Sequence, residues 1–220
     1  MSAAQIDHLV VAADTLAQGV AWCERTLGAT PGPGGKHGLM GTHNRLLAIG
    51  SPLFPKAYLE IIAIDPDAAP PPRRRWFGLD STALREAVRV RPRLLHVVAR
   101  TARIDKLRSA LAELGQDIGP VLAAERATPS GVLRWLIGVR DDGALLCGGA
   151  LPTLIEWGDV HPADSMAPSA VSLRSATLGG LAAAVFRALD LAEVQLDAHG
   201  PALCVTLNTP GGMLQLSSAG

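Results

Sequence analysis

The sequence has few aromatic residues and few cysteines, and it has no excess of either charge. Phe, Trp and Tyr make up 4% of the 220 residues, so Leu, Val, Ile and Ala must supply most of the core. The three cysteines are far apart and form no CxxC pair, which argues against a disulfide framework or a thiolate metal site. The 20 basic residues equal the 20 acidic ones, so no overall positive field attracts nucleic acid.

Long hydrophobic runs are also missing. No stretch approaches the ~20 apolar residues of a membrane-spanning helix, and the first residues lack the basic and hydrophobic regions of a signal peptide. A content of 48% apolar and 18% charged residues is typical of a globular protein. We therefore expect a cytoplasmic protein that binds neither nucleic acid nor membranes.

A repeated plan organises the chain. A short apolar strand with one histidine occurs twice, first around His8 and again around His96. A helical pattern follows each strand, and each repeat ends in a strand with one glutamate, Glu60 or Glu156. Residues 169–218 hold a shorter copy without these residues. Self-similarity of this kind indicates that one structural unit is repeated.

The repeats predict an α+β fold of repeated β-α-β-β-β modules, with a third, shorter module. The first module spans residues 1–64, the second 93–162 and the third 163–220. Between the first two, residues 65–92 form a Pro- and Arg-rich linker with a short helix. Which two modules pair with each other stays open at this point.

The histidines and glutamates of the repeats are the main functional candidates. Burying a charged side chain is costly unless it is paired or binds a metal, and His8, Glu60, His96 and Glu156 all lie on apolar strands. Taken singly, each has a simpler interpretation, as a core histidine bonded to the backbone or a glutamate that reaches solvent. Their repetition is what favours a common site.

Five further residues are weaker candidates. His43 and Asn44 lie at a loop-to-strand junction, where they would bond substrate oxygens or simply cap a turn. Trp135 and Trp157 would form apolar pocket walls, although large aromatic residues on strands are usually core. His161 follows the second glutamate strand, and a solvated linker histidine is the simpler interpretation.

The tandem modules and six short segments carry a family resemblance. The segments are Ile6-Asp7-His8, Gly41-Thr42-His43-Asn44, Tyr58-Leu59-Glu60, Arg75-Trp76-Phe77-Gly78-Leu79, Leu133-Arg134-Trp135 and Ile155-Glu156-Trp157. Together they resemble the glyoxalase-like domain family of the vicinal oxygen chelate superfamily. That superfamily includes glyoxalase I, extradiol dioxygenases, epimerases and fosfomycin-type resistance proteins.

The resemblance implies a metal site inside a cup made by two modules. His8, Glu60, His96 and Glu156 occupy the positions of its metal ligands, and two imidazoles with two carboxylates suit Zn, Ni, Mn or Fe. The implied activity is a metal-dependent lyase or isomerase that acts on a small oxygenated substrate by proton transfer. Either glutamate would leave the metal to act as the catalytic base.

Three alternatives accompany this interpretation. A metal-free protein could use the same cup to bind or sequester a small molecule, as some resistance proteins of the superfamily do. If the first module pairs with the third, the ligands become His8, Glu60 and Gln215, which is a poor metal set. In the third alternative the repeats serve mainly as a dimerisation scaffold, and the unpaired module finds its partner in a second chain of a homodimer.

Overall fold

The computed structural model describes residues 4–128 and 131–219, and this part of the chain has an α+β fold with twelve strands. The predicted fold class is therefore confirmed. The strands are β1 (Gln5–Ala12), β2 (Lys36–His37), β3 (Thr42–Ala48), β4 (Tyr58–Ile64), β5 (Arg93–Arg100), β6 (Val121–Thr128), β7 (Gly131–Gly138), β8 (Thr153–Trp157), β9 (Ser172–Gly179), β10 (Val194–Asp197), β11 (Leu203–Thr209) and β12 (Gly212–Ser217). The α-helices are α1 (Leu16–Leu27), α2 (Thr82–Val90), α3 (Ile104–Glu113) and α4 (Ala183–Leu189).

Eight strands form one curled sheet in the order β2-β3-β4-β1-β5-β8-β7-β6. Strands β1 and β5 pair antiparallel at its centre, and each has the last strand of its own repeat, β4 or β8, as a parallel neighbour. The strands β9 to β12 form a separate four-stranded sheet. The cup is therefore built by the first and second repeats, and the alternative pairing of the first with the third is wrong.

The large sheet has a core on each face, because successive residues of a strand point to opposite sides. Leu9 and Val11 of β1 pack on the outer face, in a core that includes Leu27 of α1 and Leu173 of the smaller sheet. Helix α1 begins at the N-cap Thr15, whose side chain accepts a hydrogen bond from the backbone N–H of Gln18 at 3.1 Å, which satisfies one of the free amides at the helix start. The inner, concave face carries a second apolar core.

The linker between the first two repeats fills part of the concave face. A short 3-10 helix at Trp76–Gly78 places Trp76 and Phe77 in the inner core, each about 95% buried. Phe77 adopts a left-handed backbone conformation (φ 57°, ψ 22°), which a non-glycine residue keeps only when its surroundings impose it. Its ring lies 5.5 Å from that of His96. The linker therefore covers the histidine of the second repeat on the concave face.

No helix among residues 4–128 and 131–219 has the length and apolar character needed to cross a membrane.

Candidate active site

A pocket remains open on the concave face, and residues of both repeats and of the linker line it. Its volume is about 440 Å³ including the open mouth. His8, Asn44 and Glu60 supply polar groups, while Trp135 and Trp157 form part of the apolar wall. A concave apolar pocket with a few converging polar groups is the usual form of a small-molecule site.

A β-bulge in β1 brings two neighbouring residues to this pocket. The pairing with β5 shifts register between Ile6 and His8, so Asp7 is an extra residue and both Asp7 and His8 contact groups on the concave face. Asp7 is completely buried. Its carboxylate accepts hydrogen bonds from His8 Nδ1 at 2.7 Å, His161 Nε2 at 2.8 Å and Trp157 Nε1 at 2.9 Å.

These contacts keep Asp7 ionised. Burial by itself would raise the pKa of this carboxyl, but the hydrogen bonds and charges of His161 and His8 outweigh it and hold the pKa well below the usual value. An ionised carboxylate can only accept hydrogen bonds, so His8 carries its ring hydrogen on Nδ1. His8 Nε2 then lies 3.5 Å from Glu60 Oε2. The pocket thus contains an Asp7–His8–Glu60 chain in which Nε2 of the imidazole faces the carboxyl group of Glu60.

Asn44 holds the other oxygen of Glu60. Its Nδ2 donates to Glu60 Oε1 at 2.6 Å and to His37 Nε2 at 3.2 Å, and its Oδ1 accepts from the backbone N–H of Gly35 at 2.8 Å. Burial lowers the pKa of His37 to about 4, so this histidine is neutral at pH 7 and can accept from Asn44. The amide therefore fixes Glu60 with Oε2 left for His8 or for a ligand.

Aromatic rings hold the imidazole of His8 in place. The ring of Tyr58 stacks on it, with 4.6 Å between centroids and 23° between planes. Burial raises the pKa of the Tyr58 phenol, and nearby Asp7 and Glu60 raise it further, so the hydroxyl keeps its proton. Trp135 and Trp157 pack together at 5.5 Å. The geometry of the acid–base groups is thereby set before any ligand enters.

His96 lies on the concave face, but its ring is fully engaged. Nδ1 donates to the carbonyl of Gly149 at 2.9 Å, while Nε2 accepts from the backbone N–H of Thr153 at 3.1 Å and lies 3.0 Å from Thr153 Oγ1. Burial lowers its pKa to about 4. His96 is thus a neutral core histidine, and neither ring nitrogen is left to bind a metal.

Glu156 lies on the opposite face of the sheet. Its Oε2 accepts a hydrogen bond at 3.0 Å from the backbone N–H of Ile104, at the start of α3, where a carboxylate stabilises the free amides. On β8 the pocket-facing residues are Ile155 and Trp157, and strand alternation sends Glu156 outward. The predicted role of Glu156 as ligand and base therefore does not match its position.

The strand register shows which residue corresponds to Glu60 in the second repeat. Glu60 lies opposite Val10, two residues after His8, and Thr153 lies opposite Val98, two residues after His96. Thr153 is therefore the counterpart of Glu60, and its contact with His96 replaces the contact between Glu60 and His8.

The four predicted metal ligands do not come together. His8 and Glu60 share the pocket, whereas the ring of His96 is satisfied by the backbone and Glu156 caps α3. Within the described ranges, no three His, Cys, Asp or Glu side chains are arranged to hold a metal ion. The donors do not fit the four-ligand site that the resemblance implied.

The weaker candidates divide between the two faces. Asn44 lines the pocket, as do Trp135 and Trp157. His43, its neighbour on β3, instead lies 3.9 Å from Asp65 with a side chain 20% exposed. His161 is not a solvated linker residue: it is 6% exposed and binds Asp7. Its own Nδ1 accepts from the backbone N–H of Ala163 at 3.1 Å, which fixes Nε2 as the donor.

Three pocket residues were missed by the sequence interpretation. Asp7 sits beside His8 in the chain, but only the bulge turns both side chains to one face. His37 and Arg126 come from a Gly-rich loop and from a distant strand edge. Neither had a sequence signal that separated it from a surface residue.

Two paired β-α-β-β-β modules with a polar pocket inside one curled sheet define the vicinal oxygen chelate architecture. A family model described as the glyoxalase-like domain matches residues 6–194. The chain belongs to this glyoxalase-like domain family, which confirms the resemblance predicted from the sequence. No curated protein matches the chain.

Several solved structures are similar to this chain. A hypothetical protein from Staphylococcus aureus has 14% identity and a TM-score of 0.54, covering 97% of this chain and 86% of that one. A variant of Streptomyces coelicolor methylmalonyl-CoA epimerase bound to 2-nitronate-propionyl-CoA has 19% identity and a TM-score of 0.47, covering 73% and 99%. The epimerase of Mycobacterium tuberculosis has 18% identity and a TM-score of 0.39, covering 69% and 85%. The likeness to the Staphylococcus aureus protein is one of fold.

Proposed function

We propose that this protein catalyses proton transfer at a carbon beside a carbonyl group of a small oxygenated substrate, as a lyase or an isomerase. The observation that carries the proposal is the buried Asp7–His8–Glu60 chain in the pocket. The family supports a glyoxalase-type activity, and the pocket supplies an acid and a base at neighbouring positions. Such a pair is what enolisation needs, because a proton leaves carbon while another reaches oxygen.

Glu60 and His8 divide the two proton transfers between them. Glu60 Oε2, as a carboxylate, takes the proton from the substrate carbon. When His8 is protonated on Nε2 as well, it donates that proton to the carbonyl oxygen, which gives an enol, neutral His8 and protonated Glu60. Return of both protons to the same atoms regenerates the substrate with an exchanged hydrogen. Isomerisation follows when the carbon that lost its proton carries a hydroxyl group, because Glu60 then protonates the former carbonyl carbon and His8 takes the proton of that hydroxyl. Asp7 stabilises the imidazolium through Nδ1, and Asn44 keeps Glu60 in place.

The mechanism assigns no step to a metal ion. The metal-dependent reaction implied by the resemblance uses four ligands, and only His8 and Glu60 of the predicted four share the pocket.

Solvent exchange tests the proposal directly. Small carbonyl compounds with an adjacent C–H bond, such as pyruvate, 2-oxobutyrate and hydroxyacetone, are incubated with the protein in deuterated water and followed by proton NMR. We expect loss of the adjacent C–H signal for at least one compound, and a fall of about 10²-fold or more in that rate in His8→Asn. His43→Asn is the matched control, because His43 lies outside the pocket, and it should exchange at the wild-type rate.

The competing function is metal-free binding of a small molecule without turnover. The tryptophan walls and the hydrogen bonds that already hold the carboxylates of Glu60 and Asp7 favour it. Ligand-observed NMR on the same samples separates the two. Compounds that bind in competition for the pocket but exchange no faster than in buffer would establish a binding protein and disprove the enzyme.

A further inference from the structure

Arg126 of β6 points to the chemical class of the ligand. It lines the pocket and makes one weak polar contact, from Nη1 to Asn44 Oδ1 at 3.4 Å. No carboxylate of the described residues lies within 4.0 Å of its guanidinium, and its Nε is buried without a hydrogen-bond partner. Arg126 is half-buried, and a buried N–H donor without an acceptor is costly, which suggests that a group outside the chain pairs with the guanidinium.

Two other arginines with a buried, unbonded Nε behave differently. Arg73 binds Asp141 and two backbone carbonyls, and Arg75 binds Asp80 at 2.6 Å. Their charges are therefore neutralised within the protein. Arg126 shares their unsatisfied nitrogen but lacks their carboxylate, and it differs from both in lying at the candidate active site.

A second donor without a partner lines the same pocket. The indole Nε1 of Trp76 is buried and makes no hydrogen bond in the described part of the chain. Most buried polar groups have a partner, so each exception calls for an explanation. Arg126 and Trp76 thus each bring an N–H group without a partner to the wall of this pocket.

The structure leaves room for the guanidinium through a glycine. A Cβ added to Gly35 would lie 2.6 to 2.8 Å from the Cδ, Nη1 and Nε atoms of Arg126, so any larger residue would displace the side chain. Arg126 also borders a wider groove of about 1100 Å³ including its mouth, which shares Leu46 and Pro162 with the pocket. The guanidinium thus stands where a ligand would pass from the groove to the acid–base pair.

We propose that Arg126 binds the carboxylate of the substrate, which is then a small carboxylic acid with an oxo or hydroxyl group beside the carboxylate. The assignment of this group as a substrate rests on the proposed proton transfer. Asn44 contacts both Arg126 and Glu60, so a carboxylate held by Arg126 places the next carbons towards Glu60. A planar guanidinium matches a carboxylate in two parallel hydrogen bonds, and the nearby Glu60 repels a doubly charged phosphate more strongly than a single carboxylate.

Binding of pyruvate and pyruvamide tests the anion site without an activity assay. The two compounds differ only in carrying a carboxylate or a neutral amide, and titration is followed by the fluorescence of the pocket tryptophans. We expect Arg126→Gln to weaken pyruvate binding by about tenfold or more and pyruvamide binding by less than about twofold. Arg134→Gln is the control, because Arg134 is exposed and paired with Glu125 on the same hairpin.

Gly35→Ala provides a second variant that keeps the charge. Crowding the guanidinium should weaken pyruvate binding in the same direction, while near-UV circular dichroism shows that the fold is intact. The site is disproved if wild-type protein shows no saturable pyruvate binding, or if both variants bind pyruvate as tightly as wild type. Loss of pyruvate binding in Arg126→Gln together with wild-type exchange rates in His8→Asn would keep the carboxylate site and reject the proton transfer.

Discussion

The two halves of the cup place the same backbone positions in different chemical surroundings. Both central strands contain a bulge immediately before a histidine, and the strand beside each carries the residue that contacts that histidine. In the first repeat the three positions are Asp7, His8 and Glu60, and in the second they are Leu95, His96 and Thr153. Both charged residues of the first half have uncharged counterparts in the second.

This difference decides which half can do chemistry. His8 has a carboxylate on one ring nitrogen and a second carboxylate near the other, and it opens on the pocket. His96 has a backbone carbonyl and a backbone amide as partners, and Phe77 from the linker packs against it. Of the two histidines in the repeated position, His8 alone has a ring nitrogen that faces a side chain of the pocket, and the proposed proton transfer depends on this difference.

Removing the charge of Asp7 should have the largest effect. Asp7→Asn leaves three buried donors facing an amide, and one-sided loss of a buried charge typically costs about 3–5 kcal/mol. We expect a loss of this size in the free energy of unfolding in urea. Asp67→Asn is the control, because the side chain of Asp67 is 83% exposed. If the free energy of unfolding falls no further than in this control, the buried site of the first repeat holds no charge that its neighbours depend on, and the contrast between the two halves is contradicted.

The free energy of unfolding should fall in acid because two buried histidines stay neutral in the folded protein. The folded pKa values of His37 and His96 are about 4, below their ordinary value of 6.5, so the unfolded state binds more protons as pH falls from 6.5 to 4. Each histidine should then cost roughly 2 kcal/mol of stability at pH 5 relative to pH 8. Urea unfolding at several pH values measures the slope.

The slope reports how many more protons the unfolded state binds than the folded state. His96→Gln should lower this number by about one, because the variant has no group to titrate at this position. His199→Gln should leave the slope unchanged, since His199 is exposed. An unchanged slope in His96→Gln would contradict the neutral, buried state of His96 on which the comparison depends.

Replacing Thr153 should have a small effect. Thr153→Val removes the contact between Oγ1 and His96 Nε2 but keeps the backbone N–H that the same nitrogen accepts. We expect a loss of roughly 1 kcal/mol in the free energy of unfolding and an unchanged exchange rate. A fall in exchange comparable to that of His8→Asn would mean that the second half also takes part in catalysis.

Much of the fold could be predicted from the sequence, because the repeated pattern of strand, helix and strands is periodic and local. The α+β class and the family follow from it. Of the four residues predicted as metal ligands, the structure places His8 and Glu60 3.5 Å apart. The pairing of the first two repeats was left open, since it depends on contacts between β1 and β5 that no local pattern encodes.

The errors in the predicted site come from strand register and from contacts between residues that are far apart in the sequence. Glu156 is three residues beyond Thr153, and an odd offset along a strand moves a side chain to the other face. The sequence Thr153-Leu154-Ile155-Glu156-Trp157 carries apolar residues on both faces, so alternation could not reveal the orientation. The position of Asp7 depends on the bulge in β1, and the position of Arg126 at the pocket depends on how the sheet curls. Neither feature can be read from the local sequence. The homodimer and the cytoplasmic location stay predictions.

The most direct test of the central claim compares the two glutamates that look alike in the sequence. Exchange is measured for Glu60→Gln and Glu156→Gln with the substrate found for wild type, and stability is measured in urea. The account predicts that Glu60→Gln loses exchange by about 10²-fold or more, while Glu156→Gln keeps the wild-type rate and loses roughly 1 kcal/mol of stability as a weakened cap of α3. Equal losses of exchange in both variants would contradict it, because they would place both carboxylates in one site.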